Sequence, residues 1–232
     1  MTESNSRQRY GVFGGTFNPI HLGHLRAAEE VRQALALEKI LFIPSRIPPH
    51  KDQDPSDPIA PPKLRSDWVE RAIAPHAHFQ IDRIEIDREG PSFLVDTLAA
   101  IRDRDPEGTL PVFIVGEDAF AEMGDWRNPE KLFALADFAI MTRPPGQTSH
   151  LEKCSPDIVK ANFVFEESGQ RARNKEAGTR IDLVPITALD ISSSQIRRLC
   201  REECSIRFLV PESIRAEIES GGVYEKAQVA AR

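Results

Sequence analysis

Two imidazoles three residues apart stand just downstream of a glycine pair in the run Gly14-Gly15-Thr16-Phe17-Asn18-Pro19-Ile20-His21-Leu22-Gly23-His24. This combination suits a phosphate. Glycines lack Cβ, so the backbone can take otherwise forbidden dihedrals and bring its N–H groups within hydrogen-bond distance of a bulky anion. Asn18-Pro19 signals a turn, because the Asn side chain can bond its own backbone and Pro fixes φ. From Leu22 the apolar residues Leu25, Ala28, Val31 and Leu35 fall at helical spacing. His21 and His24 therefore open a helix, where unpaired N–H groups and the positive end of the dipole favour an anion. Taken singly, a glycine pair after a strand or a histidine at a helix start is an ordinary surface feature.

A second run gives the first its weight. Ile191-Ser192-Ser193-Ser194-Gln195-Ile196-Arg197 follows an apolar strand and places hydroxyls at a helix start, with Arg197 about one turn in. Three serines before an amphipathic stretch also make an N-cap. Joined to a guanidinium, they make a second anion cradle, in which backbone and hydroxyl donors position phosphate and Arg197 neutralises it.

The elements that must hold these groups alternate. Apolar, β-rich runs occupy Tyr10 to Phe13, Ile40 to Pro44, Phe79 to Ile86, Val112 to Val115, Phe138 to Met141 and Ile181 to Ile186. Helical patterns run over Leu22 to Ala36, Lys63 to Ala74, Phe93 to Arg102, Pro129 to Ala136, Ser193 to Glu202 and Pro211 to Ser220. Such alternation implies right-handed crossovers and a mostly parallel sheet, with ligands at the carboxyl ends of its strands. Residues 1–9 read as a disordered polar N-terminus and 10–232 as a single α/β domain with a small helical C-terminal appendage, residues 193–220. The stretch 144–180 reads as irregular, with one short helix around Asp157 to Phe163. Pro48 to Pro62 holds six prolines and three aspartates and reads as a surface loop, either a mobile flap over the site or a plain linker.

With 232 residues, 40% of them hydrophobic, the chain can bury one sizeable core. A net charge of −6 leaves no overall basic footprint for nucleic acid. No stretch approaches the length of a membrane span, and the first nine residues lack the apolar core of a secretory signal, so a cytoplasmic protein is expected. Cys154, Cys200 and Cys204 fit a reducing compartment. Cys200 and Cys204 lie one helical turn apart, but nothing completes a tetrahedral metal set around them.

The two motifs resemble those of the nucleotidylyltransferase superfamily, an (H/T)xGH motif after the first strand and an ISSTxxR-like motif opening a late helix. Within it the chain is most similar to the bacterial nicotinate-nucleotide adenylyltransferases. Further matching segments follow in order: Ile47-Pro48-Pro49-His50-Lys51, Glu89-Gly90-Pro91-Ser92-Phe93 with Asp96-Thr97, Val115-Gly116-Glu117-Asp118, Asp125-Trp126, and Arg143-Pro144-Pro145-Gly146. The resemblance spans roughly residues 10–224, with a gap at about 147–178.

It implies a Rossmann-like, doubly wound α/β fold with helices on both faces. It also implies adenylyl transfer from ATP to nicotinate mononucleotide, giving deamido-NAD and pyrophosphate in NAD biosynthesis. By this resemblance His21, His24 and Arg197 are the catalytic groups. Gly14, Gly15, Thr16, Phe17, His50, Lys51, Gly116, Asp118, Arg143, Ile191, Ser192, Ser193 and Ser194 hold ATP, although Asp118 also reads as a helix N-cap. Ser92, Phe93, Asp96, Thr97, Trp126 and Arg127 form the acceptor pocket, although Trp126 reads equally as a packing anchor. Mg²⁺ is expected on the triphosphate rather than in a protein cage.

Two departures fall in that pocket. Leu94 stands where the family usually has Thr, and Arg127 where it usually has Tyr. Asn18 in place of the commoner Asp makes the same turn. The expected partners are ATP and nicotinate mononucleotide, with neither nucleic acid nor membrane, and the sequence carries no signal of oligomeric state. Other readings are the same chemistry on nicotinamide mononucleotide, less readily on phosphopantetheine, and last a nucleotide sensor without turnover.

Overall fold

A computed structural model describes residues 9–49, 57–105, 109–142 and 150–224. Strand β1 (Arg9–Gly15) leads into helix α1 (Leu22–Ala34), then β2 (Ile40–Pro44), α2 (Pro62–Ile73) and β3 (Phe79–Ile81). Helices α3 (Ile84–Asp87) and α4 (Leu94–Arg104) return the chain to β4 (Leu110–Gly116). Helices α5 (Glu117–Ala121) and α6 (Pro129–Leu135) precede β5 (Asp137–Thr142). Next come α7 (Leu151–Cys154), α8 (Asp157–Asn162), β6 (Phe163–Phe165), β7 (Arg171–Asn174) and β8 (Arg180–Pro185), then α9 (Ser193–Arg201) and α10 (Glu212–Ser220).

All eight strands join one sheet in the order β3-β2-β1-β4-β5-β8-β7-β6. The pairings from β3 to β8 are parallel, and β7 and β6 add an antiparallel edge. The central strands are apolar along their length because helices cover both faces. Phe13, Phe42, Val112 and Met141 pack with α1, α2, α9 and α10; Val12, Leu41, Phe113 and Ile140 pack with α4 to α8. Strand order reverses between β1 and β4, so the crevice at their carboxyl ends is the natural ligand position of this doubly wound α/β fold.

Three expectations need correction. The strand expected over Phe79 to Ile86 ends at Ile81, because the Asp82 carboxylate accepts from the Ile84 N–H (3.0 Å) and turns the chain into α3. The stretch expected to be irregular contains α8, as anticipated, but also α7 and the β6–β7 hairpin. Those strands hide their pattern: β7 reads Arg-Ala-Arg-Asn, with Ala172 alone buried. Arg9, expected in a disordered N-terminus, is the first residue of β1, and its guanidinium lies 3.2 Å from Asp137 and 3.6 Å from Asp182.

Trp68 on α2 is 0% exposed, 6.0 Å from the Tyr224 ring, and its indole N–H has no acceptor among the described residues. Trp68→Ala should cost about 3–5 kcal/mol in urea unfolding. Trp68→Phe should cost less than ~1.5 kcal/mol, because it also removes an unsatisfied donor. Equal losses in the two variants would contradict this account of the site.

Candidate active site

The glycine pair does not use its conformational freedom. Gly14 and Gly15 end β1 as strand residues, and the left-handed backbone falls on Phe17 (φ 46°). Their smallness is what matters. A Cβ on Gly15 would stand 3.1 Å from the Phe17 ring, which is buried edge-on to His24 at 5.1 Å between centroids. The loop thus folds its own aromatic back onto the strand it has just left.

His21 is the N-cap of α1 and His24 its third residue. The His21 main-chain N–H donates to Nδ1 of His24 (3.2 Å), which leaves Nε2 to carry the proton of a neutral ring. The two rings stack at 3.7 Å with 26° between planes. Between them in sequence, a Cβ on Gly23 would meet the His21 ring at 3.0 Å, so any larger residue there must push against this stack.

Helix α9 brings the second motif to the same place. Ser192 is its N-cap and accepts from the Gln195 N–H (3.1 Å), while the Ser193 hydroxyl donates to the Pro19 carbonyl (2.9 Å). The N-cap role and the cradle role therefore coexist. Phe13, His21, His24, Met141, Ile191, Ser192 and Ser193 line one cavity of about 260 Å³, apolar on one side and set with donors from two helix starts on the other.

Arg197 sits beside this cavity rather than in it. It is 7% exposed, its Nη1 donates to the Asn18 carbonyl (2.8 Å), and its Nε donates to Asp57 (2.8 Å) with a second bond from Nη2. Arg201 also reaches Asp57 (2.9 Å). Hydrogen bonds from Arg197, then Arg201, hold the Asp57 carboxyl down at about 2. The pair's stability is present above the ordinary carboxylate range and is lost only as pH falls through about 2, so near neutrality Arg197 is released only to a competing anion. His50, Lys51 and Arg143 lie outside the described residues, as do residues 50–56 of the expected flap. Its end is pinned: Ala60 donates to Asn18 Oδ1 (2.9 Å), and Asn18 Nδ2 donates to the Pro58 carbonyl (3.1 Å).

A second cavity of about 110 Å³ is lined by Pro49, Ser92, Phe93, Leu94, Trp126 and Arg127. The Arg127 guanidinium lies over the Phe93 ring (4.6 Å) and 3.7 Å from Asp96. Two expected pocket groups face elsewhere. Asp96 serves as a partner of Arg127, and Thr97, 1% exposed, gives its hydroxyl to Glu85 (2.7 Å). Ser92 lines the cavity but spends its Oγ on the Arg46 N–H (3.0 Å). Gly116 is the N-cap of α5, and Asp118 is exposed in its first turn without a capping bond, which removes the N-cap reading of that residue.

Sequence reasoning missed Asp57, Arg65 and Arg201 and undervalued Asn18. Asn18 Oδ1 accepts from Ala60 and from the Tyr224 hydroxyl (2.6 Å), while its Nδ2 donates. An Asp could not make that donation, so the exchange is not neutral here. Arg65 did carry a signal: a cation on the apolar stripe of α2 with Trp68, Val69 and Ala72 must be satisfied internally.

Helix N-termini converging on the carboxyl ends of parallel strands at a switch point define an α/β nucleotide-binding protein. The sequence pattern of the cytidylyltransferase-like family matches residues 12–199. A probable nicotinate-nucleotide adenylyltransferase of Trichlorobacter lovleyi is 42% identical, covering 94% of this chain and 99% of that protein. A second from Geobacter metallireducens is 38% identical over 93% and 98%. The chain belongs to the cytidylyltransferase-like family and, within it, to the nicotinate-nucleotide adenylyltransferases. The fold is shared with Plasmodium falciparum nicotinic acid mononucleotide adenylyltransferase complexed with NaAD, at TM-score 0.70 and 17% identity over 94% of this chain and 97% of that one.

The Asp57 carboxylate occupies the Arg197 guanidinium, and an anion binding there would have to compete with it. Asp57→Asn should therefore tighten ATP binding about fivefold, equivalent to ~1 kcal/mol, in titration calorimetry at neutral pH. Unchanged or weaker binding would show that the carboxylate does not compete with phosphate.

Proposed function

We propose that this protein transfers the adenylyl group of ATP to nicotinate mononucleotide, forming deamido-NAD and pyrophosphate in NAD biosynthesis. The observation that carries the reading is the meeting of the stacked His21–His24 pair with Ser192 and Ser193 of the α9 start in one cavity. A phosphate oxygen of the mononucleotide attacks the α-phosphorus in line, the bond from that phosphorus to the bridging oxygen breaks, and pyrophosphate leaves. No covalent intermediate with the protein is needed. The protein's task is to bring two polyanions together and meet the charge that builds.

In this reading the His21 and His24 rings, backed by the amides of α1, address the α- and β-phosphate oxygens. The loop Gly14 to Phe17 and the residues Ile191 to Ser194 hold the remaining phosphates and ribose, with Arg197 after it exchanges Asp57 for phosphate. His50 and Lys51 from the flap, and Gly116, Asp118 and Arg143, complete the ATP side. Imidazoles, hydroxyls and amides address phosphate oxygens, and no three His, Cys, Asp or Glu residues gather as a metal set among the described residues. That donor set fits Mg²⁺ carried by triphosphate oxygens and water, where it supplies positive charge to the leaving group. Ser92, Phe93, Trp126 and Arg127 receive the pyridine ring, with Asp96 and Thr97 behind them. No helix among the described residues is long and apolar enough to cross a membrane, and we place the reaction in the cytoplasm.

A pyrophosphate-release assay with ATP and nicotinate mononucleotide, nicotinamide mononucleotide or phosphopantetheine in turn tests the assignment; release with none of them sinks it. His21→Ala and His24→Ala should each lower kcat by about two orders of magnitude while ATP affinity stays within roughly threefold, because donors aimed at developing charge are worth ~3 kcal/mol. Near-normal turnover in the double variant would remove both from catalysis.

Arg127 is the one cation lining the acceptor cavity among the described residues, and it is held ready by the Phe93 face and Asp96. Nicotinate mononucleotide should be preferred over the amide by about tenfold or more in kcat/KM, ~1.4 kcal/mol. Arg127→Ala should shrink that ratio. A ratio unchanged in Arg127→Ala would leave discrimination to the main-chain amides near Ser92 to Leu94 and after Trp126.

A further inference from the structure

We propose that Arg65 is a positioning residue that sets the direction of main-chain amides on both the ATP side and the acceptor side of the reaction centre. It deepens the adenylyl-transfer reading and rests on it. Arg65 projects from α2 and is 0% exposed. Its Nε donates to the Ala60 carbonyl (2.8 Å), Nη1 to the Thr16 carbonyl, and Nη2 to the Ser45 (2.7 Å) and Arg46 (3.1 Å) carbonyls. No carboxylate is among these partners. Burial lowers its pKa to about 10, so it remains a cation at neutral pH.

Four carbonyls from three separate segments thus converge on one planar fork: the loop after β1, the exit of β2, and the return of the proline-rich segment. A trans peptide is planar, so turning a carbonyl toward the guanidinium sends the next N–H the opposite way. At Ser45–Arg46 both ends of this lever are visible. The Ser45 carbonyl faces Arg65, and the Arg46 N–H donates to Ser92 Oγ (3.0 Å) on the rim of the acceptor cavity. The Ser92 N–H in turn donates to the Ile47 carbonyl (2.9 Å). At Thr16–Phe17 the same lever directs the Phe17 N–H away from α2, within the glycine-rich loop assigned to ATP. Its aim is thereby fixed in a left-handed turn that a non-glycine residue would otherwise leave (φ 46°). Arg65 itself touches neither substrate, and it couples the two subsites by orienting their peptides.

Lysine keeps the charge but offers its donors from a single point and cannot span four carbonyls. Arg65→Lys should lower kcat by about tenfold or more with KM for ATP within roughly threefold, since small misplacement of reacting groups is costly in rate. A lowered melting temperature with wild-type kcat below it would make Arg65 purely structural and overturn the proposal. Should Arg65→Lys not fold, Arg65→Ala assayed with added ethylguanidinium supplies the group in trans. Recovery of kcat supports the positioning role, and recovery of folding without kcat overturns it. Absence of turnover in the wild-type protein overturns the reaction itself and this role with it, whereas an active wild type with an unaffected Arg65→Lys overturns this role alone.

Discussion

Segments that carry a site at the carboxyl ends of parallel strands leave the sheet with main-chain groups that must still be satisfied, and here a few buried polar side chains do so. An unmade bond to such a group costs about 1–3 kcal/mol. Asn18 answers for three segments: its amide side chain bonds Pro58, Ala60 and Tyr224, and its carbonyl accepts from Arg197. Ser193 adds a bond to the neighbouring Pro19 carbonyl. The turn before α1, the start of α9 and the segment before α2 therefore form one assembly, and the geometry of either phosphate cradle cannot change alone.

Within that assembly the electrostatics favour an anion. Two helix starts line one cavity through His21, Gly23, Ser192 and Ser193, and the stacked imidazoles form part of its wall. Such groups are oriented before ligand arrives, so little reorganisation is left for the moment of reaction. The Asp57 carboxylate fits the same logic from the other side. Arg197 and Arg201 are two neighbouring cations, and among the described residues the Asp57 carboxylate pairs with both.

Much of this was legible in the chain. Alternating apolar runs located all six expected strands, the third drawn too long, because strands buried on both faces read as unbroken hydrophobic segments. His21, His24 and Ser192 to Ser194 were legible because glycine spacing and helix-start chemistry are local. What stayed hidden depends on distant partners. The β6–β7 hairpin buries one side of strands only three or four residues long, too short for a period to register. Thr97 looked like a pocket hydroxyl, and only the fold shows Glu85 beneath it, a carboxyl whose burial raises its pKa. Asp57 lies in a proline-rich run with no pattern of its own, and its meaning comes from residues 140 and more positions later.

The acceptor side shows how a local substitution acquires meaning from its setting. An arginine exposed at a loop would be held by water and would contribute little. Arg127 is exposed in this way, about half of its side chain open to solvent, yet its guanidinium lies over the Phe93 ring at 4.6 Å with Asp96 3.7 Å away. A cation held this way is oriented before an anion arrives and is not neutralised by a close bidentate pair. A ring carboxylate entering the 110 Å³ cavity would meet that charge, whereas a carboxamide would leave it with Asp96 alone. The Leu94 beside it removes a hydroxyl from the wall, so the polar contrast between the two pyridines falls on main-chain amides and on this one guanidinium. Those amides follow Ser92, whose hydroxyl accepts from the Arg46 N–H, so in the proposed reaction ring selectivity would be tied to the peptides at the exit of β2.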